Sequence, residues 1–210
     1  MKKFFALCFC AVLLCASSVV NLRAQAAGGG GAAGPMVNEG DFLAAESKLN
    51  MVSLDVLRFL GFFNLSYTRA ITPAISLTAQ LELPSNLITG FAYNESGFGA
   101  RLEGRYNFAQ KNLVGIYVAP VVGFNSSTFG PPGGGESFFT TSWFALGAMA
   151  GYQFAPFGGL PELMLGFGLG AEYNIITSTI NPGLDLPTGL EPSTANGVLP
   201  RFRFTIGYAF

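Results

Sequence analysis

Eight charged side chains fall at alternate positions within otherwise apolar stretches: Asp55, Glu82, Arg101, Glu103, Arg105, Glu172, Arg201 and Arg203. Four are acids and four are bases. A carboxylate pair such as Glu82 and Glu103 suits general acid–base work only if one member is kept protonated near neutral pH. Arg101 and Arg105 oppose that, because a neighbouring cation holds a carboxylate ionised. The chain contains no histidine, so a Ser-His-Asp triad cannot be assembled. The cysteines are Cys8, Cys10 and Cys15, and none follows them. No thiolate metal site or disulfide framework is available further along. GFGLG at 166–170 lacks the spacing and the strand-to-helix setting of a dinucleotide loop, and GPPGGGES at 130–137 lacks the lysine of a phosphate loop. The chemistry predicted is ion pairing, not catalysis: no enzyme, no catalytic residue, no cofactor and no metal.

Those charges must be positioned by strands. From Asn50 onward the polarity alternates with period two, and successive strand side chains point to opposite faces. Eight stretches are expected as strands: Met51 to Arg58, Phe62 to Ile71, Ala74 to Leu83, Gly97 to Phe108, Leu113 to Phe124, Phe138 to Phe154, Pro161 to Asn174 and Val198 to Phe210. The third is the cleanest, with Ile75, Leu77, Ala79, Leu81 and Leu83 on one face and Ser76, Thr78, Gln80 and Glu82 on the other. Pro120, in mid-strand, predicts a bulge or bend, since proline donates no ladder hydrogen bond. Short connections follow the second, fourth and sixth stretches. Long ones, Pro84 to Ser96, Asn125 to Ser137 and Thr177 to Gly197, follow the third, fifth and seventh.

Composition says where such strands would sit. Of 210 residues, 50% are hydrophobic and 11% charged, well under half the charge usual in a soluble domain. Lys2 and Lys3, the apolar run Phe4 to Val20, and Ala24, Gln25 and Ala26 have the order of a secretory signal peptide cleaved after Ala26. The Gly/Ala-rich stretch 27–49 reads as a periplasmic leader, with a short helix one reading of Asp41 to Leu49. Lys2, Lys3 and Arg23 are three of the eleven Lys/Arg, and all twelve Asp/Glu come later, so the chain after Ala26 carries a net charge of −4. That excludes a basic nucleic-acid footprint. No later stretch reaches the ~18 apolar residues of a spanning helix. An exported, apolar chain without a spanning helix must pair its backbone in a closed β-barrel. The expected fold is all-β, an eight-stranded antiparallel transmembrane β-barrel over 50–210. The alternation of short and long connections is the outer-membrane pattern.

The closing residues RFRFTIGYAF put Phe202, Phe204, Ile206, Tyr208 and Phe210 on one face. This segment resembles the C-terminal assembly signal of bacterial outer-membrane proteins. NLSYTRAITPAISL (64–77), GIYVAPVVGF (115–124) and AMAGYQF (148–154) are similar to small barrels of the OmpA/OmpX/OmpW-like group. The resemblance covers 50–210. It implies the bacterial outer membrane, lipid around the barrel, and the barrel-assembly machinery as the reader of the terminal strand.

Two functions then compete. One is a closed structural or surface-interaction scaffold whose three long external loops meet an extracellular partner. The other is a narrow channel or carrier for small apolar molecules, suggested by the inward Gly115, Gly123, Gly147, Gly151, Gly166, Gly168 and Gly170. An eight-stranded barrel is only wide enough for side chains or one small ligand, and the eight charges are expected to plug it. Asp55 is expected to meet Arg201 or Arg203, because the first and last strands adjoin on closure. A secreted soluble β-sandwich is a third reading, disfavoured by the low charge.

Overall fold

Alternating side chains need a partner strand on each side, and the ends of the sheet supply one to each other. In the computed structural model, residues 48–57, 62–84, 94–157, 160–183, 186, 192 and 195–210 are described. They form β1 (Asn50–Asp55), β2 (Phe62–Ala70), β3 (Ile75–Pro84), β4 (Asn94–Asn107), β5 (Gly115–Gly130), β6 (Phe139–Phe154), β7 (Leu163–Ile180) and β8 (Gly197–Ala209). Each strand pairs with the next, and β8 returns to β1, closing an antiparallel barrel. Closure removes the free edges that an open sheet exposes. The expected signal peptide, the expected leader up to 47 and residues 58–61 lie outside the described residues. So do 85–93 and much of 184–194.

The stagger of the barrel follows from its registers. Met51 pairs Thr68, which leads through Thr78, Glu103, Val121, Gly147 and Glu172 to Leu199. Leu199 lies six residues before Thr205, the partner of Asp55, and Asp55 lies four beyond Met51. One circuit therefore climbs ten residues. With strand rise and spacing of ~3.3 and ~4.8 Å, that is a tilt of roughly 40°. The tilt brings residues distant in sequence to the same height in the lumen.

Side-chain parity matches the alternation. In β3 the buried positions are Ser76, Thr78, Gln80 and Glu82, and in β4 they include Arg101, Glu103, Arg105 and Asn107. The apolar set Val52, Leu54, Leu65, Leu77, Leu81, Leu102, Ile116, Val118 and Leu146 lies exposed on the outer face. Polarity is thus inverted relative to a water-soluble domain.

Several expected boundaries are corrected. β4 begins at Asn94, not Gly97; β5 runs on to Gly130, not Phe124; β7 continues to Ile180, not Asn174. Part of each expected long loop is therefore strand. The reason is a change of phase: past Phe124 and Phe144 the outer face carries Ser126, Thr128, Thr140 and Ser142, while Phe129 and Phe139 turn inward and stack at 4.8 Å. The pattern still has period two, but with polar outside. Pro120 makes no bulge. The register is the same on both sides of it, from Glu103↔Val121 to Tyr106↔Val118, and the ladder to β6 is unbroken. The missing donor costs only the local rungs toward β4. Val114, which shares the parity of the outward Ile116 and Val118, is buried instead. β5 starts after it, at Gly115, whose φ of 108° follows Gln110 and Asn112 at φ 51° and 39°. That left-handed turn folds Leu113 and Val114 back under the barrel wall.

Candidate functional site

The lumen holds the charges, and three levels of side chain fill it. The first of the three, on the side of the long connections, is a four-membered ring of Glu82, Arg101, Glu172 and Arg201. Arg101 donates from Nε to Glu82 at 2.7 Å and from Nη1 to Glu172 at 2.6 Å. Arg201 donates from Nη1 to Glu172 at 2.8 Å, and its Nη2 lies 3.5 Å from Glu82. Asn64 and Asn125 donate to Glu82 at 3.0 and 3.5 Å. Bonds from β4 to β7 and from β8 to β3 cross the lumen, so the ring ties walls that no backbone ladder joins.

Below it, Glu103 accepts from both Nη atoms of Arg203, with Nη1 at 2.7 Å, and from Nε and Nη2 of Arg105 at 3.2 Å each. β4 and β8 stand opposite each other in an eight-stranded circuit, so the Arg203–Glu103 pair spans the diameter. Such two-armed guanidinium–carboxylate pairing is the strongest geometry available to these groups. Gln80 links the two levels, donating to Glu103 and accepting from Arg201 at 3.2 Å. Gln153 accepts from Arg105 at 3.1 Å, and the Arg105 guanidinium lies 4.6 Å from the centre of the Tyr117 ring. Every one of these charged groups is at least 95% buried.

The third level closes the end with the short turns. Met51, Ala70, Leu113, Val114, Met164 and Ala209 form one buried apolar cluster. Alternation puts Met51 and Met164 inward; the turn 109–114 supplies Leu113 and Val114. Beside this cluster the inward hydroxyls of Ser53 and Ser66, and of Thr68 and Thr78, bond each other in pairs.

The glycine-lined wall is occupied as well. A Cβ on Gly123 would lie 2.8 Å from Cγ of Arg101, one on Gly151 2.4 Å from the Tyr117 hydroxyl, and one on Gly168 3.0 Å from Sδ of Met149. The space that these glycines leave is taken by side chains of adjoining strands, Arg101, Tyr117 and Met149.

Of the eight charges singled out from sequence, seven join this network. Asp55 does not, and its expected pairing with Arg201 or Arg203 is corrected. Its Oδ1 accepts from the Phe204 amide at 3.4 Å, while its buried Oδ2 has no hydrogen-bond partner. Arg203 turns to Glu103 because that carboxylate meets both of its arms. The network has four arginines and three glutamates, so the nearby Asp55 balances the one excess positive charge. Sequence reasoning missed Gln80, Gln153, Asn64 and Asn125 as linkers. Their inward parity was the available signal.

On the terminal strand, Phe202, Ile206, Tyr208 and Phe210 are exposed on the outer face, and the Phe204 ring stacks on Phe167 at 4.8 Å. Phe210 is held by two backbone bonds to Asn50, at 3.0 and 2.8 Å. Among the described residues no cluster of three metal-ligating side chains occurs, and no helix is long and apolar enough to cross a membrane. No family model, curated protein or solved structure matches the chain. What the site can do chemically is cross-brace the barrel from within.

Proposed function

We propose that this protein is an integral barrel of the bacterial outer membrane, a closed scaffold that presents its long connections outside the cell. The observation that carries the reading is the inverted polarity of a closed barrel. Exposed Leu, Ile, Val, Phe and Tyr ring the outside, while Glu and Arg are buried within. A contiguous apolar surface on this scale marks contact with lipid or protein, and only closed barrels and helices satisfy their backbone there. The signal-like N-terminus, the resemblance to small OmpA/OmpX/OmpW-like barrels and the short-turn, long-loop alternation support the same reading. On it, Tyr106, Phe108, Tyr152, Phe154, Tyr208 and Phe210 gather near the periplasmic rim as an aromatic girdle, and the barrel-assembly machinery engages β8.

The filled lumen favours the scaffold over the channel or carrier, since the space left by its glycines is occupied. Function then rests with the external connections, which a rigid barrel would hold toward an extracellular partner. The test is extraction and gel mobility. The protein is expected in the outer-membrane fraction, with a band that shifts on boiling as a closed barrel unfolds. Recovery as a soluble protein with no shift would refute the proposal.

A further inference from the structure

Resting on the membrane reading above, we propose that the outer face of the long-loop ends of β5, β6 and β7 is a docking surface for the saccharide headgroup of an outer-leaflet glycolipid. Three adjoining strands change character at one rung. Phe124, Phe144 and Ile175 are in register and exposed, the last apolar row of the outer wall. The next two rows outward are Ser126, Ser142 and Thr177, then Thr128, Thr140 and Thr179. All six are hydroxyl side chains, none is charged, and none is buried. On the inner face of the same segment stand Phe129, Phe139 and Trp143. On these three strands the apolar side chains have moved indoors, so the row of Phe124 marks the upper edge of the greasy belt there; on β4 the belt reaches one rung higher, at Phe98 beside Ser126.

The six hydroxyls form a grid. Neighbours across strands are ~4.8 Å apart and the two rows ~6.7 Å apart, an area that a disaccharide would cover. Ser126 bonds Ser142 and Thr128 bonds Thr140, each at 3.0 Å. A hydroxyl has one donor and two acceptor sites, so each pair keeps a donor and several acceptors for a ligand. Thr177 and Thr179 face solvent. Neutral donors and acceptors on a sheet suit sugar hydroxyls, whereas a phosphate would call for arginine or lysine. Continuity with the apolar belt selects the lipid-linked source. A glycolipid would set its acyl chains on Phe124, Phe144 and Ile175 and its sugars one rung higher, at the headgroup level.

The experiment uses the protein in mixed detergent micelles holding equal amounts of rough lipopolysaccharide and phosphatidylcholine, with co-purifying lipid counted by native mass spectrometry. The wild type is expected to retain lipopolysaccharide in severalfold excess. The variant Thr128→Val, Thr140→Val, Thr177→Val and Thr179→Val keeps strand-favouring side chains, and it should fall to parity. Equal retention by wild type and variant overturns the proposal, as does a wild type with no preference. Displacement by free core oligosaccharide at the same concentration as the lipid-linked form would overturn the lipid source. If the fourfold variant does not fold, the wild-type preference and that competition still decide. A wild type lacking the boiling-dependent band shift would overturn the membrane reading itself; a shifted band without glycolipid preference overturns only this proposal.

Discussion

Replacing Glu103 by Gln would change almost nothing in shape and much in energy. The carboxylate accepts from Arg203, Arg105 and Gln80. The amide keeps one acceptor and turns an NH2 group toward donors that need an oxygen. It also raises the excess charge of the bonded network from one to two. Removing one partner of a buried ion pair costs ~3–5 kcal/mol, because the charge left behind stays desolvated. Glu103→Gln is expected to lose that much. Arg203→Met added to it should recover a large part, a coupling well above the ~0.3–0.5 kcal/mol scatter of independent sites. The assay is urea unfolding of the protein in lipid vesicles, read by gel mobility and by fluorescence of Trp143, the only tryptophan. An unchanged urea slope would assign the shift to stability. A loss under ~1 kcal/mol, the range of exposed pairs, or a loss abolished by 1 M salt, would refute a buried cross-brace.

Asp55→Asn should cost ~1–3 kcal/mol in the same assay, less than Glu103→Gln: Oδ2 has no hydrogen bond to lose, but the charge that balances the arginine excess goes; a loss equal to that of Glu103→Gln would mean that Asp55 does hold Arg203. Gly123→Leu should lower stability by ~1–3 kcal/mol, the range for overpacking, because its Cβ alone meets Arg101 at 2.8 Å, while Gly104→Ala, with nothing within 4 Å, should be neutral. Equal tolerance at both sites would show the lumen to be roomy. Val114→Asp should destabilise the barrel strongly by placing a charge in the apolar plug, and wild-type stability there would contradict the plug. Phe210→Ser should slow assembly in cells yet leave the refolded protein near wild-type stability; normal assembly would count against recognition of β8.

The strands were legible because a one-residue shift would turn every side chain to the wrong face. Ser76 to Glu82 left no choice of parity, and β3 lies where alternation placed it. The ends of β5 and β7 are not legible, because there the apolar-out pattern that marks the rest of the wall stops. Ser126, Thr128, Thr177 and Thr179 keep the period while reversing the polarity. Membership of the lumen set could be read from parity, but the partners could not. Arg203 and Glu103 are a hundred residues apart in sequence, and the ten-residue stagger brings them to one height. Adjacency of β1 and β8 pointed instead to Asp55, which faces the Phe204 amide. The place of Val114 is not legible either, because an apolar residue serves equally on the outer wall or in the plug. The left-handed turn and Gly115 decide for the plug.

The central claim, a closed barrel in a membrane with its bore filled, is tested most directly by single-channel recording of the refolded protein in a planar bilayer, with the band shift on boiling confirming closure. A complete shift and an electrically silent membrane are expected for the wild type. Discrete conductance steps from the shifted species would contradict it.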